Sequence, residues 1–160
     1  MMAAEDWDFK HPVELQDVPW DCAAASLTWC LNAAGYHMTE AEVVASLGPT
    51  RISPALGLLD ASGAGIVDWL STIGIVAENN PFCTWLDITG AAGNQPMLMG
   101  GGAWYHWTGV RMSTLTAGVP DWDVVALANP APGWCGVGQT LDAYQFQQLG
   151  SFSAVWFTSW

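Results

Sequence analysis

The sequence is poor in positive charge. Among 160 residues, Lys plus Arg number 3 and Asp plus Glu 15, a formal net charge of −12. Only Lys10, Arg51 and Arg111 could neutralise phosphates, which excludes general nucleic-acid binding. The same shortage disfavours an anionic membrane surface. Charged residues total 11% and hydrophobic residues 51%. Disorder needs the opposite balance, so the body of the chain must fold. Long apolar runs are also missing. Asp68, His106 and glycines interrupt the most apolar stretches before about 20 residues accumulate, so no transmembrane helix is expected. The opening MMAAEDWDFKHP carries acids early and lacks an apolar h-region. No signal peptide is expected from it, and a cytoplasmic location follows as the expectation.

Several motifs are absent too. Cys22, Cys30, Cys83 and Cys135 form no CxxC pair, and no HxxxH occurs, so a structural zinc site is not expected. Without an export signal the four cysteines read as free thiols, with the pairing of Cys30, Cys83 and Cys135 left open. There is no GxSxG, which argues against a serine hydrolase. Ser62-Gly63-Ala64-Gly65 lacks the lysine of a phosphate-binding loop. No metal and no cofactor are expected.

What is present reads as one domain over residues 16–160, preceded by a polar, acidic arm over residues 1–15. Residues 21–34 contain neither Pro nor Gly and are apolar on nearly every side, which predicts a helix in the middle of the domain. Asp21 is its expected N-cap and Gly35 its stop. Thr39 is the expected cap of a second helix ending at Gly48, with Glu40 and Glu42 in its first turn. Residues 49–60 read as loop, Ser62–Thr72 as a third helix, Ile73–Glu78 as a short strand and Asn79–Pro81 as a turn. Residues 82–93 are ambiguous, with a short helix as one option. After Gln95 the pattern changes to short strand-forming runs, PMLM, HWTGVRM, DVVALAN and SAVWF. A last helix, Leu141–Leu149 capped by Thr140, precedes the final strand. Helices first and strands second predict an α+β class with an antiparallel sheet.

Cys22 opens the buried helix, where free N–H groups and the helix dipole favour a thiolate. The neighbouring Asp21 opposes this by raising the thiol pKa, so a base is needed. His106, in the run WYHWTGV, is the candidate base. Asn129 ends the apolar strand before Pro130 and could orient the imidazole through its amide oxygen. Asp123, at the start of that strand, is the competing orienter. Gln16, six residues before Cys22, could supply an oxyanion donor together with the Cys22 backbone N–H. Trp20, Trp104 and Trp107 flank the cysteine and the histidine and could line a substrate cleft, although most of the eleven Trp residues must be core fillers. The Gly100–Gly102 run, with Gly101 at its centre, would let a substrate backbone approach closely.

The stretch Gln16-Asp17-Val18-Pro19-Trp20-Asp21-Cys22-Ala23-Ala24-Ala25 resembles the start of papain-like cysteine peptidases, most of all the bacteriocin-processing, double-glycine leader peptidases. That resemblance spans roughly residues 14–35 and 96–132. It implies a papain-like fold, a Cys-His-Asn triad and a thioester intermediate, acting on a peptide or isopeptide bond. In the family an Asp-Pro follows the histidine strand; Asn129-Pro130 takes that place here, and Ala23 replaces the family's glycine after the cysteine. The gap between His106 and Asn129 is longer than the family hairpin. The stretch ANPAPGWCGVGQTLDAYQF is similar to small papain-like proteins carried by phages and bacteria. That likeness implies a bacterial cell-wall peptide as one substrate, with release by lysis or delivery with a phage particle. Two other readings stay open: a degenerate domain that binds a peptide or protein partner without cleaving it, and an assembly protein with a Trp-rich interface. The oligomeric state is not legible.

Overall fold

The computed structural model describes residues 15–92, 94–101, 105–114, 124–132 and 139–160. The body of the expected arm, Trp104, Asp123 and Cys135 lie outside the described residues. The Pro- and Gly-free segment after Asp21 forms α1 (Cys22–Ala33), buried along nearly its whole length. Asp21 occupies the N-cap position, but its side chain makes no capping bond. It turns back and accepts the Val18 N–H at 3.3 Å. The second helix, α2 (Glu40–Leu47), begins with a capping box between Thr39 and Glu42 and stops at Gly48.

Within the stretch expected as loop, β1 (Ile52–Ser53) and β2 (Gly57–Leu58) pair as a short antiparallel hairpin. The third helix, α3 (Ala64–Thr72), starts at Gly63, whose φ of +87° suits glycine, and not at Ser62. Strand β3 (Val76–Asn80) runs through the asparagines expected in a turn. The ambiguous segment is helical: α4 (Trp85–Ala91) carries a capping box between Thr84 and Asp87.

The apolar runs after Gln95 form β4 (Met97–Gly101), β5 (His106–Thr114), β6 (Val124–Ala128) and β8 (Phe152–Ser159). One boundary differs for a clear reason. Gln139–Asp142 is a strand, β7, which satisfies the outer edge of β6. The helix α5 (Ala143–Leu149) therefore starts later, with Asp142 accepting the Gln145 N–H and Gln145 reaching back in a capping box.

The six strands lie in the order β3-β8-β4-β5-β6-β7, every pair antiparallel. Alternation sends successive side chains to opposite faces. Leu98, Trp107, Ala128, Val155 and Phe157 join the helical core with Leu27, Leu31 and Leu70. Met97, Met99, Val110, Leu127 and Ala154 face the other way and pack with Ile88 and Phe146 of α4 and α5. A sheet covered on both faces explains why these strands read as near-continuous apolar runs. The class is α+β with an antiparallel sheet, as the order of helices and strands predicts. Among the described residues no helix is long and apolar enough to cross a membrane.

Candidate active site

The site forms where the N-terminus of α1 meets the start of β5. Their close approach depends on Gly109 of β5: a Cβ there would stand 2.6 Å from the Trp29 ring of α1. With α1 seated, Cys22 at its first turn lies beside the His106–Trp107 peptide. The Trp107 N–H donates to Cys22 Sγ at 3.5 Å.

His106 opens β5, immediately after Tyr105, whose φ of +49° makes a tight left-handed step. That conformation costs an L residue roughly 1–2 kcal/mol. The pairing of Gly109 with Ala128 puts Asn129, one residue further on, on the diagonal from His106. The side chains meet: His106 Nε2 lies 2.8 Å from Asn129 Oδ1. The amide orientation is fixed from two sides. The Ala131 N–H donates to Oδ1 at 3.0 Å. The Nδ2 group donates to Gln139 Oε1 at 2.7 Å. An amide oxygen only accepts, so the ring proton of neutral His106 sits on Nε2, and Nδ1 keeps the lone pair.

Gln16 is buried in the loop leading to Cys22. Its backbone N–H donates to Pro130 O at 3.0 Å, tying this loop to the turn that carries Asn129. Its side-chain Nε2 donates to Val18 O at 2.8 Å, and its Oε1 is buried without a partner. Gln16 does not line the cleft described next, so the loop holds it close to Cys22 in the chain but with its amide engaged locally.

A cleft of about 590 Å³ opens over the cysteine and histidine. Cys22, His106, Trp20, Trp107 and Gly101 line it, together with Leu56, Gly57, Gly100, Tyr105 and Ser153. Trp107 packs flat over Gly100; a Cβ at that glycine would stand 2.2 Å from the indole. The hairpin β1–β2 supplies one wall of the cleft, and short runs of two residues gave no periodicity by which to find it. Gln139 and Glu40 were also missed as site-supporting residues, because a polar residue on a strand and an acid in a first helical turn both have ordinary explanations.

The electrostatics favour neutral groups. Burial is the main influence raising the Cys22 thiol pKa, and the Asp21 charge adds to it; N–H donors from Trp107 and Ala23 work against both. Burial lowers the His106 pKa, partly offset by the bond to Asn129. Desolvation thus opposes the thiolate expected from the helix N-terminus. Among the described residues no group of three or more His, Cys, Asp or Glu could hold a metal ion.

No protein-family model matches the chain, and no curated protein sequence does. Solved structures do match. A double-glycine-motif protease from an AMS/PCAT transporter, in complex with the leader peptide, superposes with a TM-score of 0.65 at 15% identity, covering 91% of this chain and 90% of that one. The peptidase domain of Streptococcus ComA, a bi-functional ABC transporter involved in a quorum-sensing pathway, superposes with a TM-score of 0.66 at 11% identity, covering 94% of this chain and 99% of that one. The fold is that of papain-like peptidase domains, as the sequence resemblance implies.

Proposed function

We propose that the chain is a cysteine peptidase that cleaves a peptide through a thioester on Cys22. One observation carries this reading: His106 Nε2 is held by Asn129 Oδ1 at 2.8 Å, in the same cleft as a cysteine at a helix N-terminus. Nδ1 of His106 takes the thiol proton as Sγ attacks the scissile carbonyl, and returns it to the leaving amine. Water then attacks the thioester with His106 again as base. Asn129 keeps the imidazole in the tautomer that leaves Nδ1 basic. The Cys22 backbone N–H stabilises the oxyanion, and Gln16 joins it if substrate draws its amide away from Val18 O.

The substrate class is a peptide with small residues before the scissile bond. A fold neighbour that is a double-glycine-motif protease bound to a leader peptide supports this class.

A second reading, a domain that binds a peptide without cleaving it, draws on the raised Cys22 thiol pKa and on Ala23 after the cysteine. One experiment separates the two. Peptides with an internal Gly-Gly, together with a cell-wall stem peptide, are incubated with the protein, and products are read by mass spectrometry. Cleavage after Gly-Gly, lost in both Cys22→Ala and His106→Ala, is the expected result. Binding of the same peptides by calorimetry with no cleavage would replace the peptidase by the binding domain.

A further inference from the structure

Two carboxyl groups are buried behind the nucleophile. Asp21, immediately before Cys22, is 2% exposed, and Glu40, at the first position of α2, is 7% exposed. The two carboxyls also lie close enough to influence each other's ionisation. Each also holds one amide of the loop that leads to Cys22. Glu40 Oε1 accepts the Asp17 N–H at 3.1 Å. Asp21 Oδ1 accepts the Val18 N–H at 3.3 Å. The same loop carries Gln16, whose side chain bonds Val18 O.

Burial penalises each charge and two neighbouring carboxylates repel each other, so the pair favours keeping one proton. Among the described residues the ionisable groups facing Glu40 are Asp21 from the α1 N-cap and Asp17 from the loop, both acids, and neither can compensate a charge there. Glu42, on the same helix, is turned to its own Thr39 cap.

We propose that Glu40 is a positioning residue of the peptidase site: buried beside Asp21, its Oε1 holds the Asp17 N–H while Asp21 holds the Val18 N–H, and together the two carboxyls pin the Gln16–Asp21 loop in the shape that presents Cys22. The proposal rests on the peptidase reading for its catalytic consequence, though not for the loop itself. Burial and the neighbouring Asp21 carboxyl push the Glu40 pKa up to about 8. Losing that proton places two buried carboxylates in contact, with Asp17 adding to the repulsion, so the loop should loosen as the pH rises past this point. Glutamine at position 40 keeps an Oε1 able to accept the Asp17 N–H and carries no charge at any pH.

The test follows the backbone amides of Asp17 and Val18 by two-dimensional NMR from pH 6 to 10, in wild type and Glu40→Gln, with kcat/KM measured on a Gly-Gly peptide over the same range. The expected result is that both amides shift with one midpoint near pH 8 in wild type and stay flat in Glu40→Gln. Activity of wild type falls with the same midpoint, and that alkaline limb disappears in Glu40→Gln while activity at pH 7 is kept within about threefold. Amides that do not move between pH 7 and 9 in folded wild type, or an alkaline limb near pH 8 that survives in Glu40→Gln, would overturn the proposal. A wild type with the amide titration but no cleavage of any peptide would sink the peptidase reading and, with it, the catalytic role given to Glu40. It would leave the pinned loop standing.

Discussion

Asn129 is the residue on which the site's geometry turns, and replacing it with alanine removes three hydrogen bonds together. The bond from His106 Nε2, the bond from the Ala131 N–H and the bond to Gln139 Oε1 are all lost. Asn129 is 5% exposed, so water replaces these partners poorly. At about 0.5–1.5 kcal/mol net for each, Asn129→Ala should lower stability by roughly 2–4 kcal/mol. The catalytic effect is separate. Without Oδ1 the imidazole is free to rotate and to adopt the other tautomer, and such misplacement costs on the order of 10²-fold. That loss should fall on kcat with KM little changed, because Asn129 does not line the cleft. Urea unfolding followed by circular dichroism gives the first number, and steady-state cleavage of a Gly-Gly peptide the second. A kcat within about threefold of wild type, in a variant confirmed as folded, would refute the orienting role. Asn129→Asp is the informative companion: a carboxylate beside His106 should raise the pH at which activity falls on the acid side.

Gly100→Ala should destabilise by about 1–3 kcal/mol, because its Cβ would overlap the Trp107 indole; it should also slow cleavage by moving the N–H that reaches Cys22 Sγ. Normal melting temperature and activity in that variant would contradict the packing argument. Burial lowers the His106 pKa from 6.5, so the folded state binds fewer protons there than the unfolded chain. Its contribution to stability is present above pH 6.5 and is lost as pH falls through the folded pKa; thermal melts of wild type and His106→Gln should converge at low pH. Alkylation by iodoacetamide, read by peptide mapping, should be slow at Cys22 near pH 6 and should climb beyond pH 9, because burial and Asp21 keep the thiol protonated. Cys83, pushed up to about 12, and the fully buried Cys30 should remain the slowest. A Cys22 that reacts fast at pH 6 would show that an ion pair with His106 forms after all.

The elements legible in the sequence are those with strong local signals. The Pro- and Gly-free Ala-rich run became α1, Thr39 capped α2, and the apolar runs after Gln95 became strands. The errors sit where the signal is short or shared. β1 and β2 have two residues each, too few for any period. Residues 139–142 have helix-compatible chemistry, yet they pair with β6 because its edge needs partners that only the assembled sheet reveals. Asp21 was placed rightly as N-cap, but its side chain turns back to the Val18 N–H, with the Glu40 carboxyl of α2 beside it.

By itself the sequence determined the fold class, the helix that carries Cys22, and the residue types able to do cysteine chemistry at the spacing of Gln16 and Cys22. These are properties of neighbouring residues, set by periodicity, caps and chain breaks. Only the tertiary structure decided that His106 and Asn129 meet across the β5–β6 register, that Gln139 and Ala131 fix the amide's orientation, and that Glu40 stands behind Asp21. It also decided how strongly burial opposes a thiolate at Cys22. The helix N-terminus that favours a thiolate is visible in a sequence, whereas the desolvation that opposes it depends on what is packed around Cys22 after folding.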